Sequence, residues 1–226
     1  MKTDDHYQNT NDFFSSAARD KQGFYDSKSN SNLSHTIQQR LVRRLVLSCI
    51  KAALKIDNNI SSIIDAGCGK GDVTNMISES FIQFKRLQGT DFSKDMIFLA
   101  KKETSSDKIS FEVADVRTLP FADKEFDISL CMNVLHHIMP LDQNKALDEL
   151  ARLAKKYIIL EIKNGDNFHY KYFHRGKLKN IHVYQTSVER VERVLNPLGF
   201  YLVEEKGIFI WSILSPLVVV MFKKTD

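Results

Sequence analysis

The sequence predicts an α/β fold: a doubly wound, mostly parallel sheet of seven strands that ends in an antiparallel hairpin, preceded by a helical segment. Three observations predict it. Short branched or apolar runs alternate with helix-periodic segments, which demands right-handed crossovers and a mainly parallel sheet. The first apolar run, Ile63-Ile64-Asp65, breaks into alternating glycines at Gly67, Gly69 and Gly71 before a helical pattern opens at Val73. Finally, no helix of useful length separates the last two apolar runs, so those strands should pair antiparallel.

Residues 1–34 are rich in Asp, Asn, Ser and Lys with scattered aromatics, among them Phe13, Phe14, Phe24 and Tyr25, and are expected to be partly ordered with a short helix or two. Residues 35–54 read as a helix, because Ile37, Leu41, Leu45 and Cys49 recur at four-residue steps. Arg40, Arg44, Lys51 and Lys55 share another face of it. Strand one is expected at 61–66, followed by a helix over 73–84. Strand two, 86–90, ends at Asp91, and Ser93 is a candidate cap for a helix running to Lys102. Strand three, 109–114, ends at Asp115. Strand four spans 126–132, a helix 141–154, strand five 157–162 and a last helix 186–195. The closing strands are 200–206 and 217–222.

The 226 residues suffice for one domain with a full core. Cys49, Cys68 and Cys131 are odd in number and lack metal-ligand spacing, so reduced thiols and no metal are expected. The polar start Met1-Lys2-Thr3-Asp4-Asp5 is not a signal peptide, and a cytoplasmic setting is the expectation. The apolar run 207–222 is interrupted by Ser212, Ser215 and Pro216 and is too short to span a bilayer. Net charge is +4. Its distribution says more, because 27–56 and 167–188 contain no acidic residue while carrying Lys28, Arg40, Arg43, Arg44, Lys171, Arg175, Lys177 and Lys179.

The glycine turn faces the crevice where open α/β sheets bind ligands. A dinucleotide fingerprint would place a third glycine at position 72, but Asp72 stands there and a carboxylate repels a pyrophosphate. A P-loop would need Gly-Lys-Ser/Thr, which is absent. Instead, an acid is followed by alternating glycines, Asp65-x-Gly67-x-Gly69-x-Gly71. This resembles motif I of the class I S-adenosylmethionine (SAM) methyltransferases, and SAM carries an ammonium and a sulfonium but no phosphate. The stretch Ala114-Asp115 through Leu119-Pro120-Phe121 to Phe126-Asp127 resembles the small-molecule subgroup that includes quinone, sterol and sugar methyltransferases.

The resemblance implies a Rossmann-like methyltransferase core over 57–226, an N-terminal helical cap over 1–56, and a substrate-recognition insert at about 164–184. It implies SAM as methyl donor, S-adenosylhomocysteine (SAH) as product and a small-molecule acceptor. Asp65, Gly67, Cys68 and Gly69 would bind the cofactor, whose ammonium and sulfonium suit an acid near the turn. Asp91 would take the ribose hydroxyls, Phe92 and Met96 would flank the adenine, Asp115 and Val116 would bind its edge, and Asn133 would lie beneath the methionine. Asn133 is followed by Val134 and Leu135 rather than the Pro-Pro-aromatic run of base and amide methyltransferases, which disfavours that chemistry. His136 and His137 are each candidates for a general base, since imidazole titrates near neutrality; a non-catalytic role for both stays open. Tyr25, Arg40, Tyr170 and Arg175 are the candidate acceptor contacts, with an anionic or apolar acceptor expected from the interleaved aromatics and cations. Three alternatives stay open: a SAM-binding protein or partner subunit without catalysis, an enzyme acting on a membrane lipid or quinone through peripheral contact, and an RNA methyltransferase. No stable nucleic-acid partner is expected, and the oligomeric state is left open.

Overall fold

The computed structural model describes residues 3–19, 33–164, 177–178, 181–208 and 215–225. Helix α1 (Thr3–Arg19) and helix α2 (Leu33–Ile56) precede the core. Then β1 (Ser62–Ala66), α3 (Asp72–Ser80), β2 (Arg86–Asp91), α4 (Lys94–Glu103) and β3 (Ile109–Val113) follow. Next come β4 (Phe126–Cys131), a 3-10 turn at Leu135–His137, α5 (Pro140–Leu153) and β5 (Ala154–Lys163). A short hairpin, β6 (Lys177–Leu178) and β7 (Ile181–His182), leads to α6 (Val188–Leu195), and β8 (Phe200–Gly207) and β9 (Leu217–Lys224) close the fold.

The main sheet has seven strands in the order β3-β2-β1-β4-β5-β9-β8. The first five strands of that order are parallel; β9 runs antiparallel to both β5 and β8. The expected architecture is therefore the observed one. The order reverses between β1 and β4, which opens a crevice at their carboxyl ends. One core layer, built on Val46, Ile50, Ile63, Ile77, Leu87 and Ile97, covers the face under α2, α3 and α4. The other, built on Ile64, Leu147, Leu150, Leu160, Val191 and Phe200, covers the face under α5 and α6. On α2, Val42, Val46, Cys49, Ile50 and Ala53 are buried while Arg40, Arg44, Lys51 and Lys55 are exposed, as the four-residue spacing requires.

Two expectations change. The N-terminal segment, expected to hold a short helix or two, holds within the described residues one helix of 17 residues, α1, longer than expected. The third helix stops at Ser80 rather than 84, because Phe81 turns extended (φ −139°). Phe81 and the fully buried Phe84 then pack edge to face from the connection, ring centroids 5.8 Å apart.

Asp127 fixes how β4 meets β1. Its Oδ2 accepts from the backbone N–H groups of Ser61 (2.8 Å) and Ser62 (3.0 Å) and from the Ser62 hydroxyl (2.9 Å). Burial pushes this carboxyl up, but the hydrogen bonds from Ser61 and Ser62 outweigh it and hold it below the ordinary value. A carboxyl depressed by folding stabilises the fold above its unfolded pKa of about 3.9, and that contribution is lost as pH falls through the lower folded value. Asp127→Ala should cost about 2–3 kcal/mol at pH 7, because it strands buried donors. Urea unfolding at pH 7 and below pH 4 checks this; the gap to the wild type should shrink in acid.

Candidate active site

The turn after β1 is stapled to the end of β2. The N–H groups of Gly67 and Cys68 both donate to the Thr90 carbonyl, at 2.7 and 2.8 Å. The Gly69 N–H donates to Asp91 Oδ2 (3.0 Å), and the Gly71 N–H to the Cys68 carbonyl (3.0 Å). These donors are spent within the protein and do not point at a phosphate. That is the structural reason against a pyrophosphate ligand. Asp72, which suggested it in the sequence, is itself neutralised by Arg43 at 2.8 Å and Lys70 at 3.5 Å. Gly67, Gly69 and Gly71 all have positive φ. A Cβ on Gly69 would meet nothing within 4 Å, so this residue faces open space, whereas one on Gly67 would strike Val134 at 2.1 Å.

Two buried carboxylates flank the turn. Asp65 is held by the Thr74 hydroxyl at 2.6 Å. Burial, helped by repulsion from Asp91, raises its pKa to about 6. Asp91 Oδ1 accepts the Ser93 N–H (2.9 Å), and burial pushes its pKa to about 6 as well. Each Asp91 oxygen has one backbone donor and keeps a lone pair, so the group can still accept two vicinal hydroxyls. Ser93 Oγ caps α4 at the Met96 N–H (3.3 Å).

Every residue assigned above to the cofactor lines one cavity of about 450 Å³ at these strand ends, a volume ordinary for a small-molecule site. Phe92 meets Phe14 edge-on, centroids 6.2 Å apart. Asp115 is engaged differently from expectation. Arg117 grips both its oxygens, Nε to Oδ1 at 3.0 Å and Nη2 to Oδ2 at 2.6 Å. Burial raises this carboxyl, but the hydrogen bonds from Arg117 win and hold it below the usual range.

The histidine pair is split by the 3-10 turn. His137 lines the cavity, while His136 does not and is buried. Burial drives His136 well below its ordinary pKa and His137 to about 3. Both rings are therefore neutral and weakly basic, which departs from the expectation of a base titrating near neutrality. His137 Nδ1 has no hydrogen-bond partner among the described residues. Of the candidate acceptor contacts, Arg40 is exposed and lines the cavity. Tyr25, Tyr170 and Arg175 lie outside the described residues.

Residues 63–157 match the family model described as a methyltransferase domain. The chain is 27% identical to norajmaline N-methyltransferase of Rauvolfia serpentina over 141 residues, which is 59% of this chain and 46% of that protein. It is 34% identical to demethylmenaquinone methyltransferase of Bacteroides fragilis over 113 residues, 47% of this chain and 45% of that protein. The chain thus spans less than half the length of these curated relatives. In structure it resembles magnesium protoporphyrin IX methyltransferase from Synechocystis with bound SAH, at a TM-score of 0.76 and 18% identity over 97% of this chain and 100% of that one. Residues 63–157 are thus similar to methyltransferase domains, on a fold shared with a methyltransferase that binds SAH.

The residues lining the cavity fit SAM, the methyl donor expected from the sequence. Asp65 and Asp91 are buried acceptors without a cation, the turn opens a Cβ-free gap at Gly69, and the cavity adjoins the apolar Phe92, Met96 and Val116. Among the described residues no group of three or more His, Cys, Asp or Glu is placed to hold a metal.

Sequence reasoning missed how α1 roofs this domain's cleft. Tyr7, Thr10 and Phe14 line the cavity from above. The roof is tied down by His6 Nε2 to the His137 carbonyl (2.9 Å), by the Tyr7 hydroxyl donating to Asp142 (2.8 Å), and by Ser15 Oγ beside Ser93 Oγ (3.0 Å). Arg117 stacks on the Tyr7 ring at 3.6 Å. Burial and the bond to Asp142 push the Tyr7 phenol up to about 12, so it stays a donor. Glu161, buried on β5 and lining the same cavity, was also missed.

Proposed function

We propose that the chain is an enzyme that moves a methyl group from SAM to a small-molecule acceptor and releases SAH. The observation that carries this is the pair of buried carboxylates, Asp65 and Asp91, around a glycine turn whose N–H groups are already used. Two such anions without a cation are unfavourable, and a ligand bearing an ammonium and a vicinal diol relieves both. When bound, SAM supplies an electrophilic methyl group on a sulfonium that is already a good leaving group. The protein's own work is then to align, to exclude water and to accept a proton where the acceptor carries one. Asp65 and Gly67 hold the amino-acid end, Asp91 takes the ribose, and Phe92, Met96 and Val116 surround the adenine. Asp115 fixes Arg117 under Tyr7 and serves the adenine edge only in addition to that bond.

Residues 1–56 act as the cap, with α1 as roof and α2 as side wall through Gln39, Arg40 and Arg43. Arg40 at the cavity mouth is suited to an anionic or polar group on the acceptor. That acceptors are small molecules is supported by the relatives' names, among them tocopherol O-methyltransferase of Arabidopsis thaliana. No helix among the described residues is long and apolar enough to cross a membrane. Isothermal titration with SAM, then release of SAH across a panel of small-molecule acceptors, tests the proposal. Stoichiometric SAM binding and acceptor-dependent SAH are expected; absence of SAM binding contradicts it.

SAM affinity should also depend on pH. Asp65 and Asp91 must be ionised to meet the ligand, and both sit near pKa 6 in the ligand-free protein. Affinity should therefore rise from pH 5 to about 7 and then level off. The stability of the ligand-free protein moves the other way. A carboxyl whose pKa folding raises loses its share of stability as pH climbs from the unfolded value of about 3.9 through the folded one. Titrations at pH 5, 6 and 7.5 check the first statement, and thermal melts over the same range check the second.

A further inference from the structure

Among the carboxylates that line the cavity, one has a buried oxygen with no hydrogen-bond partner among the described residues. Asp65 has Thr74, Asp72 has Arg43 and Lys70, Asp91 has two backbone N–H groups and Asp115 has Arg117. Glu161 is 2% exposed, and its Oε1 has no hydrogen-bond partner among the described residues. A buried acceptor left unmet costs about 1–3 kcal/mol, more when charged. Its position also differs. Asp91 ends β2, Asp65 stands one residue before the end of β1 and Asn133 follows β4, so the residues assigned to the cofactor stop at β4. Glu161 lies one strand further, on β5, just past the pairing of Cys131 with Leu160. In the proposed pose that is beyond the methionine end, on the side from which an acceptor approaches. Nearby, the Asn133 backbone N–H and the Lys163 ammonium favour its charged form, and the neutral Cys131 thiol sits close by.

Resting on the proposed methyl transfer, we infer that Glu161 receives the acceptor: Oε1 takes a hydrogen bond from the N–H or O–H to be methylated, selecting acceptors that react through nitrogen or oxygen. The acceptor's nitrogen or oxygen forms the bond to the methyl carbon. The carbon–sulfur bond breaks with its electron pair left on sulfur, and the acceptor's proton passes to Glu161 Oε1. Burial raises the pKa of Glu161 to about 7, against about 3 for His137, so the carboxylate is the better proton acceptor of the two at neutral pH. His137 then contributes contact at the cavity wall.

The test uses the full chain saturated with SAH, with benzylamine, phenol and benzoate as probes followed by ligand-observed NMR. Benzylamine or phenol should bind the wild type, and Glu161→Gln should weaken that binding about tenfold or more. Benzoate should not gain from the intact carboxylate. The SAH affinity of E161Q should stay within about threefold of the wild type, because the cofactor residues lie elsewhere, and its ligand-free melting temperature at pH 8 should rise as a buried anion is removed. Glu161→Asp, which withdraws the oxygens by one methylene, supplies the same comparison should E161Q fail to fold. The inference falls if neither donor probe binds the wild type, if the variants bind it unchanged, or if SAH affinity drops in parallel. Failure of SAH to bind the wild type overturns instead the methyltransferase reading on which the inference rests.

Discussion

Asp91→Ala is expected to weaken SAH binding by about two to three orders of magnitude while leaving the protein folded. In the proposed pose two ribose hydroxyls donate to this carboxylate, hydrogen bonds to a charged group each worth about 1.5–3 kcal/mol, and every 1.4 kcal/mol is a factor of about ten in affinity. The same carboxylate also takes the Gly69 N–H at 3.0 Å, so its loss releases the turn proposed to hold the amino-acid end. Stability should change little at neutral pH. The variant leaves two backbone donors unmet but removes a buried anion whose pKa burial has raised to about 6. Calorimetric titration with SAH and a thermal melt of the same sample measure both halves. A loss of affinity below tenfold would remove Asp91 from the ribose.

Gly67→Ala should destabilise the fold itself by about 2–5 kcal/mol. The positive φ of 84° costs an L-residue roughly 1–2 kcal/mol, and a Cβ placed 2.1 Å from Val134 Cγ2 adds about 1–3 kcal/mol of overpacking. For a chain of this size that is a fall in melting temperature of about 4–20 °C. Gly69→Ala is the matched control. It shares the positive φ, at 56°, but its Cβ enters open cavity. It should lower stability by only about 1–2 kcal/mol while obstructing the ligand, so the two variants separate fold strain from ligand clash. Melts with and without SAH read the difference: ligand should raise the melting temperature of Gly67→Ala and barely move that of Gly69→Ala.

The strand ends were legible in the sequence because their signals are local. A branched run that stops at Asp65, Asp91 or Asp115 marks both the end of a strand and the crevice, and the alternating glycines fix the turn between them. The docking of helix α1 over the cavity was not legible. Its residues are polar, and what holds it are bonds to His137, Asp142 and Ser93, far away in the chain. Adjacent histidines look equivalent in a sequence. Only the 3-10 turn decides that His137 faces the cavity and His136 the interior, and only burial decides that neither ring is a strong base. Arg117 is two residues past Asp115, yet its grip on that carboxylate depends on how the connection folds under Tyr7. Glu161 left one signal that was available. A lone acid within the apolar run Tyr157 to Ile162 is costly to bury without a reason, and the cavity supplies the reason.

The structure of the SAH complex is the most direct test that the cofactor lies along these strand ends beneath α1. Both ribose hydroxyls are expected on the Asp91 carboxylate, the ammonium at the Asp65–Gly67 turn, the adenine between Phe92 and Met96, and the sulfur directed toward the β5 side. SAH bound elsewhere, or lying in the cleft with its ribose away from Asp91, would contradict it.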